Sequence, residues 1–265
     1  MNEINKLKKA LNFLTTHLAG ASELAEIATE GSIVLDTNHH NNPEDILIGK
    51  KNHNSKCLIN DQKLLDKFKT HKLNNLEVGR LYERYIGYLW EKDNWKVTYK
   101  GIVDGFSDMG RDLICVKGNQ HRIIQAKCWS KKTPLREKHV YQLHSSTLHY
   151  RLQLRNAYQL SYGKSKARAM MKESDIKAIL CSTNDLTETA KDVINFYQSV
   201  IHQKIELRKD YPMVKCNINQ TTGEKLYHLP FDSAYDSIII GNVEGEMYVS
   251  TIQEAEQFGF QRVGS

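Results

Sequence analysis

Asp112 stands at the start of one apolar run, and thirteen positions later the triplet Gln125-Ala126-Lys127 closes a second. The first run is Leu113-Ile114-Cys115-Val116 and the second contains Ile123-Ile124, with a turn-like Lys117-Gly118-Asn119-Gln120 between them. Such a hairpin sets a carboxylate, an amide oxygen and an ammonium near one point. Those are the parts needed to cut a phosphodiester with the help of a divalent cation.

Side-chain alternation places Gln125 and Lys127 on one face of their strand, with Ala126 and Cys128 on the other. A short turn sets the start of one strand opposite the end of its partner, so Asp112 is expected to approach the Gln125/Lys127 face. A hard cation such as Mg2+ takes oxygen ligands and keeps several waters. Asp112, the Gln125 side-chain oxygen and the Ala126 carbonyl are the ligands on offer. Lys127 is then placed to orient a metal-bound water or to stabilise charge building on phosphate.

A further carboxylate comes from the stretch Leu76–Trp90, where Val78, Leu81, Tyr82, Tyr85, Ile86 and Leu89 recur at helical spacing. Glu83 lies beside that face, four residues from both Gly79 and Gly87. Glycine inside a helix costs roughly 1 kcal/mol against alanine. Two readings are open: something approaches the helix beside Glu83, or the glycines permit close packing and Glu83 is a solvated charge.

Taken in order, Gly79-x-x-x-Glu83, Asp108-x-Gly110-x-Asp112 and Gln125-x-Lys127 followed by a helix resemble the PD-(D/E)xK nuclease superfamily. Glutamine in place of the second acid is similar to its Mrr-like restriction endonuclease branch. The later Ala178-Ile179-Leu180-Cys181-Ser182-Thr183, followed by Thr187, Thr189 and Ala190, is similar to the same branch. The likeness covers roughly residues 70 to 205. It implies Asp112 as metal ligand, Gln125 as the substituted second ligand, Lys127 as catalytic lysine and Glu83 as a metal or water ligand. Asp104 and Asp108, in the loop before the strand, are further candidates, and Gln142 is a candidate on the next helix. With Gln125 the site has one negative charge fewer than the acidic pattern, which lowers cation affinity.

Charge points to a polyanionic partner. Residues 117 to 172 hold thirteen Lys/Arg against one acid, Glu137, a balance of +12 that leaves −6 for the rest of a chain at +6 overall. Phosphate neutralisation carries most non-specific affinity for DNA. Lys131, Lys132, Arg136, Lys138, Arg151, Arg155, Lys164, Lys166 and Arg168 are the expected backbone contacts. Trp129, Tyr141, Tyr150, Tyr158 and Tyr162 are interleaved among them. Contacts of this kind carry no base sequence.

The elements that must position these groups read as helix 76–92, strand 95–99, strand 112–116, strand 122–128, a long basic helix from about 135 with Pro134 in its first turn, strand 176–181 and helix 187–203. The long helix carries Val140, Leu143, Thr147, Tyr150 and Leu154 at core spacing. Strands alternating with helices imply an α/β fold, a mixed sheet covered on its faces. The resemblance makes it restriction-endonuclease-like.

Three regions are expected. Residues 1–60 form an N-terminal helical element (Ile4, Leu7, Leu11, Leu14, Leu18) and a polar linker. Residues 61–205 form the nuclease-like domain, and 206–265 a small C-terminal α+β appendage. The linker's His39-His40, with His53, reads as surface loop more readily than as a metal site. Residues 225–262 resemble small Ada-type metal-binding modules, but the cysteines such modules use are absent, so zinc is not expected. Thr251-x-x-Glu254 fits a capping box and Gly259 a helix stop; His228 reads as a packed histidine.

No apolar run reaches the roughly 18 residues of a membrane span, and Met1–Lys6 does not lead into a signal-peptide core. Five cysteines without a C-x-x-C pair read as free thiols in a reducing cytoplasm. The resulting expectation is a cytoplasmic, Mg2+- or Mn2+-dependent DNA endonuclease of restriction or DNA-processing type. It is expected to act as a homodimer or higher assembly, because duplex cutting takes two sites. The alternatives are a non-cleaving nucleic-acid-binding module on the same fold, such as a recruiter to branched DNA, and a basic protein–protein adaptor.

Overall fold

Burial alternates along the first strand: Val97 and Tyr99 face inward while Lys96 and Thr98 are exposed, the pattern of a half-covered sheet. The computed structural model describes residues 55–104, 110–129, 133–241 and 243–263. The chain divides at Lys50/Lys51, and every described element belongs to the second part. The expected helical element before residue 55, its histidines, Asp108, Lys131 and Lys132 lie outside the described residues.

Two helices lead: α1 (Ser55–Thr70), which sequence periodicity did not assign, and α2 (Asn75–Lys92). Asn74 caps α2 by accepting from the Glu77 N–H, and Glu77 accepts from the Asn74 N–H in return. The main sheet then runs β1 (Lys96–Tyr99), β2 (Leu113–Lys117), β3 (Gln120–Lys127), β4 (Asp175–Ser182) and β5 (Val200–Lys204), in that spatial order. A short helix α3 (Lys100–Asp104) precedes β2. Helices α4 (Glu137–Tyr162) and α5 (Lys164–Glu173) cross from β3 to β4, and α6 (Glu188–Tyr197) crosses from β4 to β5.

The sheet is mixed for a local reason. Gly118 takes φ +59°, which closes the tight turn and returns β3 antiparallel to β2, with Leu113 opposite Ile124. The helical crossovers then make β4 and β5 parallel to β3. Alternation along β3 sends Ile124 and Ala126 into the core built on α2's Leu81, Tyr82 and Ile86. Ile123 goes to the opposite face, under α4's Val140 and Leu143. The mixed, helix-covered α/β sheet is the class the sequence implied.

Three boundaries differ from expectation. Pro134 lies before α4, not in its first turn; the Leu135 N–H donates to the Asp185 carbonyl at 2.8 Å, and Leu135 forms an isolated parallel bridge with Leu186. The basic stretch breaks at Gly163 (φ +79°) into α4 and α5. The helix expected to reach residue 203 stops at Tyr197. Gln198 turns left-handed (φ 53°), and Val200–Lys204 joins the parallel ladder of β4.

The C-terminal stretch folds its own sheet of β6 (Val214–Ile218), β7 (Lys225–His228), β8 (Met247–Val249) and β9 (Gln261–Arg262), ordered β8-β6-β7-β9, with α7 (Ile252–Gln257) between β8 and β9. The Thr251/Glu254 capping box is present, and Gly259 follows the helix with φ +82°. Ile238–Ile240 forms no strand: the Ile238 carbonyl accepts from the Lys215 ammonium at 2.7 Å. His228 is packed, with Nε2 2.9 Å from Asn217 Oδ1.

One apolar cluster crosses the boundary expected near 205. Tyr211, Met213, Val214, Tyr227 and Phe260 share a core with Leu65, Tyr82, Tyr85 and Tyr99. A buried polar knot ties the same parts together. Glu91 of α2 accepts from Tyr99 at 3.1 Å and from Tyr248 of β8. Lys215 of β6, 1 % exposed, sits 3.9 Å from Glu91 and beneath the Tyr99 and Tyr235 rings. Burial pushes the carboxyl up and the ammonium down; the tyrosine hydroxyls and the Tyr235 and Ile238 carbonyls favour the charged forms. Arg84 of α2 adds a two-pronged pair with Asp236, both contacts at 2.7 Å. Among the described residues no helix is long and apolar enough to cross a membrane.

Removing one member of a buried pair strands the other charge. Lys215→Ala is expected to cost about 3–5 kcal/mol in urea denaturation, whereas Glu91→Leu combined with Lys215→Met recovers most of that loss. Equal stability of Lys215→Ala and wild type contradicts the knot.

Candidate functional site

Beyond Leu113 and Ile124 the β2–β3 ladder ends, and a side chain continues it. Asp112 Oδ2 accepts from the Ala126 backbone N–H at 2.6 Å, and Asp112 is 7 % exposed. The N–H and C=O of one strand residue point to the same edge, so the Ala126 carbonyl faces the Asp112 side. On the other flank, the Gly101 N–H of α3 donates to the Asp112 carbonyl at 3.0 Å.

Gly101 joins Asp112 to Glu83. A side-chain carbon built there would lie 2.9 Å from Glu83 Oε2 and 3.2 Å from both Asp112 Oδ1 and Asp112 Cα. Two carboxylate oxygens therefore border the same small space, which glycine leaves open. Nothing in the sequence singled out Gly101, because its role depends on a helix after β1 that periodicity did not reveal. The glycines beside Glu83 resolve separately. Gly79 faces open space, and a methyl at Gly87 would strike the Tyr99 ring, so Gly87 serves packing and neither glycine marks the site.

Gln125 is fully buried. Its Nε2 donates to the Gly110 carbonyl and to Gln142 Oε1 of α4, each at 3.2 Å. That fixes the amide's orientation: a flip would set oxygen against the Gly110 carbonyl oxygen. Gln125 Oε1 is left buried with no hydrogen-bond partner among the described residues. An unsatisfied buried acceptor costs about 1–3 kcal/mol, and a cation would satisfy it. Gly110 makes this possible. It takes φ +76°, and an added carbon would come within 2.7 Å of Gln142 Nε2 and 2.9 Å of Gln125 Nε2.

Lys127 follows on Gln125's face, half-exposed. The Thr183 N–H donates to its carbonyl at 3.1 Å, and the Trp129 N–H reaches Thr183 Oγ1 at 3.3 Å, extending the β3–β4 pairing past the strand end. His139, near the start of α4, is buried edge-on to Trp129 at 5.3 Å. Burial first, then the charges of Lys127 and Lys138, pull its pKa down from 6.5 to about 4. It is neutral at pH 7 and adds no second positive charge beside Lys127. Sequence spacing carried no sign of His139, since only the packed fold brings it to the lysine.

Glu83, Asp112 and Gln125 thus present oxygen donors at one end of the sheet, with Lys127 next along β3. Such hard donors suit Mg2+ or Mn2+, and the unsatisfied Gln125 oxygen fits a coordinating role. Only two of the three are carboxylates. Among the described residues no group of three or more His, Cys, Asp or Glu is arranged to hold a metal. Asp104 ends α3 with its side chain outside the described residues.

The cationic residues divide. Arg136, Arg155, Lys164, Lys166 and Arg168 are exposed and Lys138 is half-exposed. Arg151 is drawn inward, its guanidinium donating to the Ile176 carbonyl of β4 at 2.7 Å. Arg111, 8 % exposed, donates to Gln153 of α4 at 3.0 Å and braces the segment before Asp112. A scan against protein-family models and searches of curated proteins and of solved structures returned no significant match.

Gly110→Ala forces φ +76° on an alanine and crowds both amides, at an expected cost of about 1–3 kcal/mol, read by denaturant titration; an unchanged midpoint contradicts the crowding. His139 contributes a pH dependence of definite sign. Its folded pKa lies below the unfolded 6.5, so acid protonates the unfolded chain first. Stability is full above pH 6.5 and falls until about pH 4. His139→Gln is expected to flatten that decline by up to about 3 kcal/mol.

Proposed function

We propose that this chain is a metal-dependent endonuclease that hydrolyses DNA phosphodiester bonds, on a restriction-endonuclease-like fold of the PD-(D/E)xK type. The observation that carries the reading is the buried, unsatisfied Gln125 oxygen, next along β3 to Ala126, whose N–H holds Asp112 beside the small space that it borders with Glu83. The Asp-x(12)-Gln-x-Lys order on a β-hairpin, followed by a basic helix, supports it. So does the exposed charge of Arg136, Arg155, Lys164, Lys166 and Arg168.

Asp112, Glu83 and Gln125 would hold Mg2+ or Mn2+, which supplies activation of water and neutralisation of phosphate charge. The protein's own groups do the rest. Gly110 and Gln142 hold the Gln125 amide so that its oxygen is free. The Ala126 N–H fixes one Asp112 oxygen and leaves the other, Oδ1, at the Gly101 space. Lys127 brings an ammonium to the scissile phosphate, where it stabilises the pentacoordinate transition state. The basic residues of α4 and α5 hold neighbouring phosphates without reading bases. Cutting both strands of a duplex calls for two such sites, hence a homodimer.

A second reading, a non-cleaving nucleic-acid-binding module on the same fold, is favoured by Gln125 itself and by the two-carboxylate count. The two readings part on a plasmid. Supercoiled DNA with Mg2+ or Mn2+ is expected to be nicked by wild type. Asp112→Ala and Lys127→Ala should lower the rate by at least about 10²-fold, and Gln125→Glu should lower the metal concentration needed. Equal cutting by wild type and both alanine variants removes the assignment. Salt-sensitive binding without cutting of duplex, branched or single-stranded DNA selects the second reading.

A further inference from the structure

Helix α4 runs far beyond what the core requires. Its buried residues end at Thr147, and its last partly buried core contacts are Tyr150 and Leu154. Eight more residues follow before Gly163, and α5 returns beside them with Ala167 as its one buried residue. This outer half is a helical hairpin whose tip at Gly163 lies beyond the core, while Met171 of α5 packs back against it.

Its surface is not that of an inert projection. Leu160, one turn before the tip, is 91 % exposed, and Tyr162 is 51 % exposed. Lys164, Arg168 and Lys172 recur every four residues and form one exposed stripe on α5. Lys166 sits 4.9 Å over the Tyr162 ring. None of these four cations makes an ion pair among the described residues. An exposed leucine amid unpaired cations and tyrosines is a surface suited to a partner that is both anionic and able to receive an apolar group.

The helix also has a phase. Gln142, which touches Gln125 at the site, and Leu160 are eighteen residues apart, about five full turns, so they lie on one stripe. Between them on that stripe stand His149, Gln153 and Asn156, and Gln153 holds Arg111, the neighbour of Asp112. The stripe that begins over the site therefore ends in Leu160, about 27 Å away, the rise of about eight base pairs.

Resting on the nucleic-acid reading above, we infer that the α4–α5 hairpin is an arm that grips duplex DNA alongside the site, its α5 cations on phosphates and Leu160 wedged at a base step about eight base pairs from the bond at Asp112. Phosphate-binding lysines give the grip, and apolar wedges that partly unstack a step are a known device of duplex binders.

The test is binding of a fluorescein-labelled duplex in EDTA, so that no cleavage enters, with circular dichroism confirming the fold of every variant. Lys164→Ala/Lys166→Ala/Arg168→Ala should reduce the slope of log K against log salt by about 2–3. Leu160→Ser should weaken binding about tenfold with the slope unchanged. Leu160→Trp should add emission that unlabelled duplex quenches, as stacking requires. An unchanged slope in the triple variant, or added emission from Leu160→Trp that is indifferent to duplex, overturns the arm. So does wild-type binding to phosphatidylserine vesicles with no duplex affinity, which would make the partner a membrane surface. The outcomes separate from those of the cleavage assay. Arm-dependent binding with no cutting leaves this inference standing and removes the endonuclease; metal-dependent cutting with all arm variants like wild type does the reverse.

Discussion

A single hydrogen bond, from the Ala126 N–H to Asp112 Oδ2, sets the geometry on which the site depends. It lies one step past the last backbone pair of the β2–β3 hairpin, where a carboxylate takes over from a carbonyl as the ladder's acceptor. That substitution pins Asp112 against β3, turns its second oxygen toward Gly101 and Glu83, and directs the Ala126 carbonyl to the same side. Charge-assisted bonds of this kind are about twice as strong as neutral ones. Here the bond acts by position, allowing a strand end, usually a place of fraying, to hold a defined arrangement of oxygens.

Around that bond the site is built by exclusion. Gly101 and Gly110 withhold side chains where any carbon would collide with Glu83, Asp112, Gln125 or Gln142. Gln125 is buried with one half of its amide satisfied and the other not. Protein interiors seldom leave such an acceptor unpaired, and a water or an ion is what it takes up where one can reach it. The neutral His139 beside Lys127 works in the same direction, keeping like charge away from the lysine.

The hairpin and the oxygens on it were legible in the sequence because period-two alternation and a Gly-Asn turn fix register locally. The core faces of α2 and α4 were legible for the same reason: Leu81, Tyr82, Ile86, Val140 and Leu143 repeat at helical spacing. What escaped was decided by tertiary contact. Val200–Lys204 continues an apolar pattern that fits a helix, and only the left-handed Gln198 and the open edge of β4 make it a strand. Gly101 and His139 have no local signature, since each matters through a residue distant in the chain. The C-terminal stretch read as an appendage because its own strands and capping box are locally complete. Its attachment runs through Lys215 and Glu91, a charge pair that no periodicity announces.

That attachment bears on how the protein is made. Glu91 and Tyr99 lie about a third of the way along the chain, but their partners Lys215, Tyr235 and Tyr248 emerge from the ribosome more than a hundred residues later. Until then the Glu91 carboxylate lacks its Lys215 and Tyr248 partners. That knot therefore closes only after the late strands are translated. The tie between α2 and the C-terminal sheet comes into being only once the polypeptide is nearly complete, so a ribosome-bound fragment carries the α5 cations well before it can carry that tie.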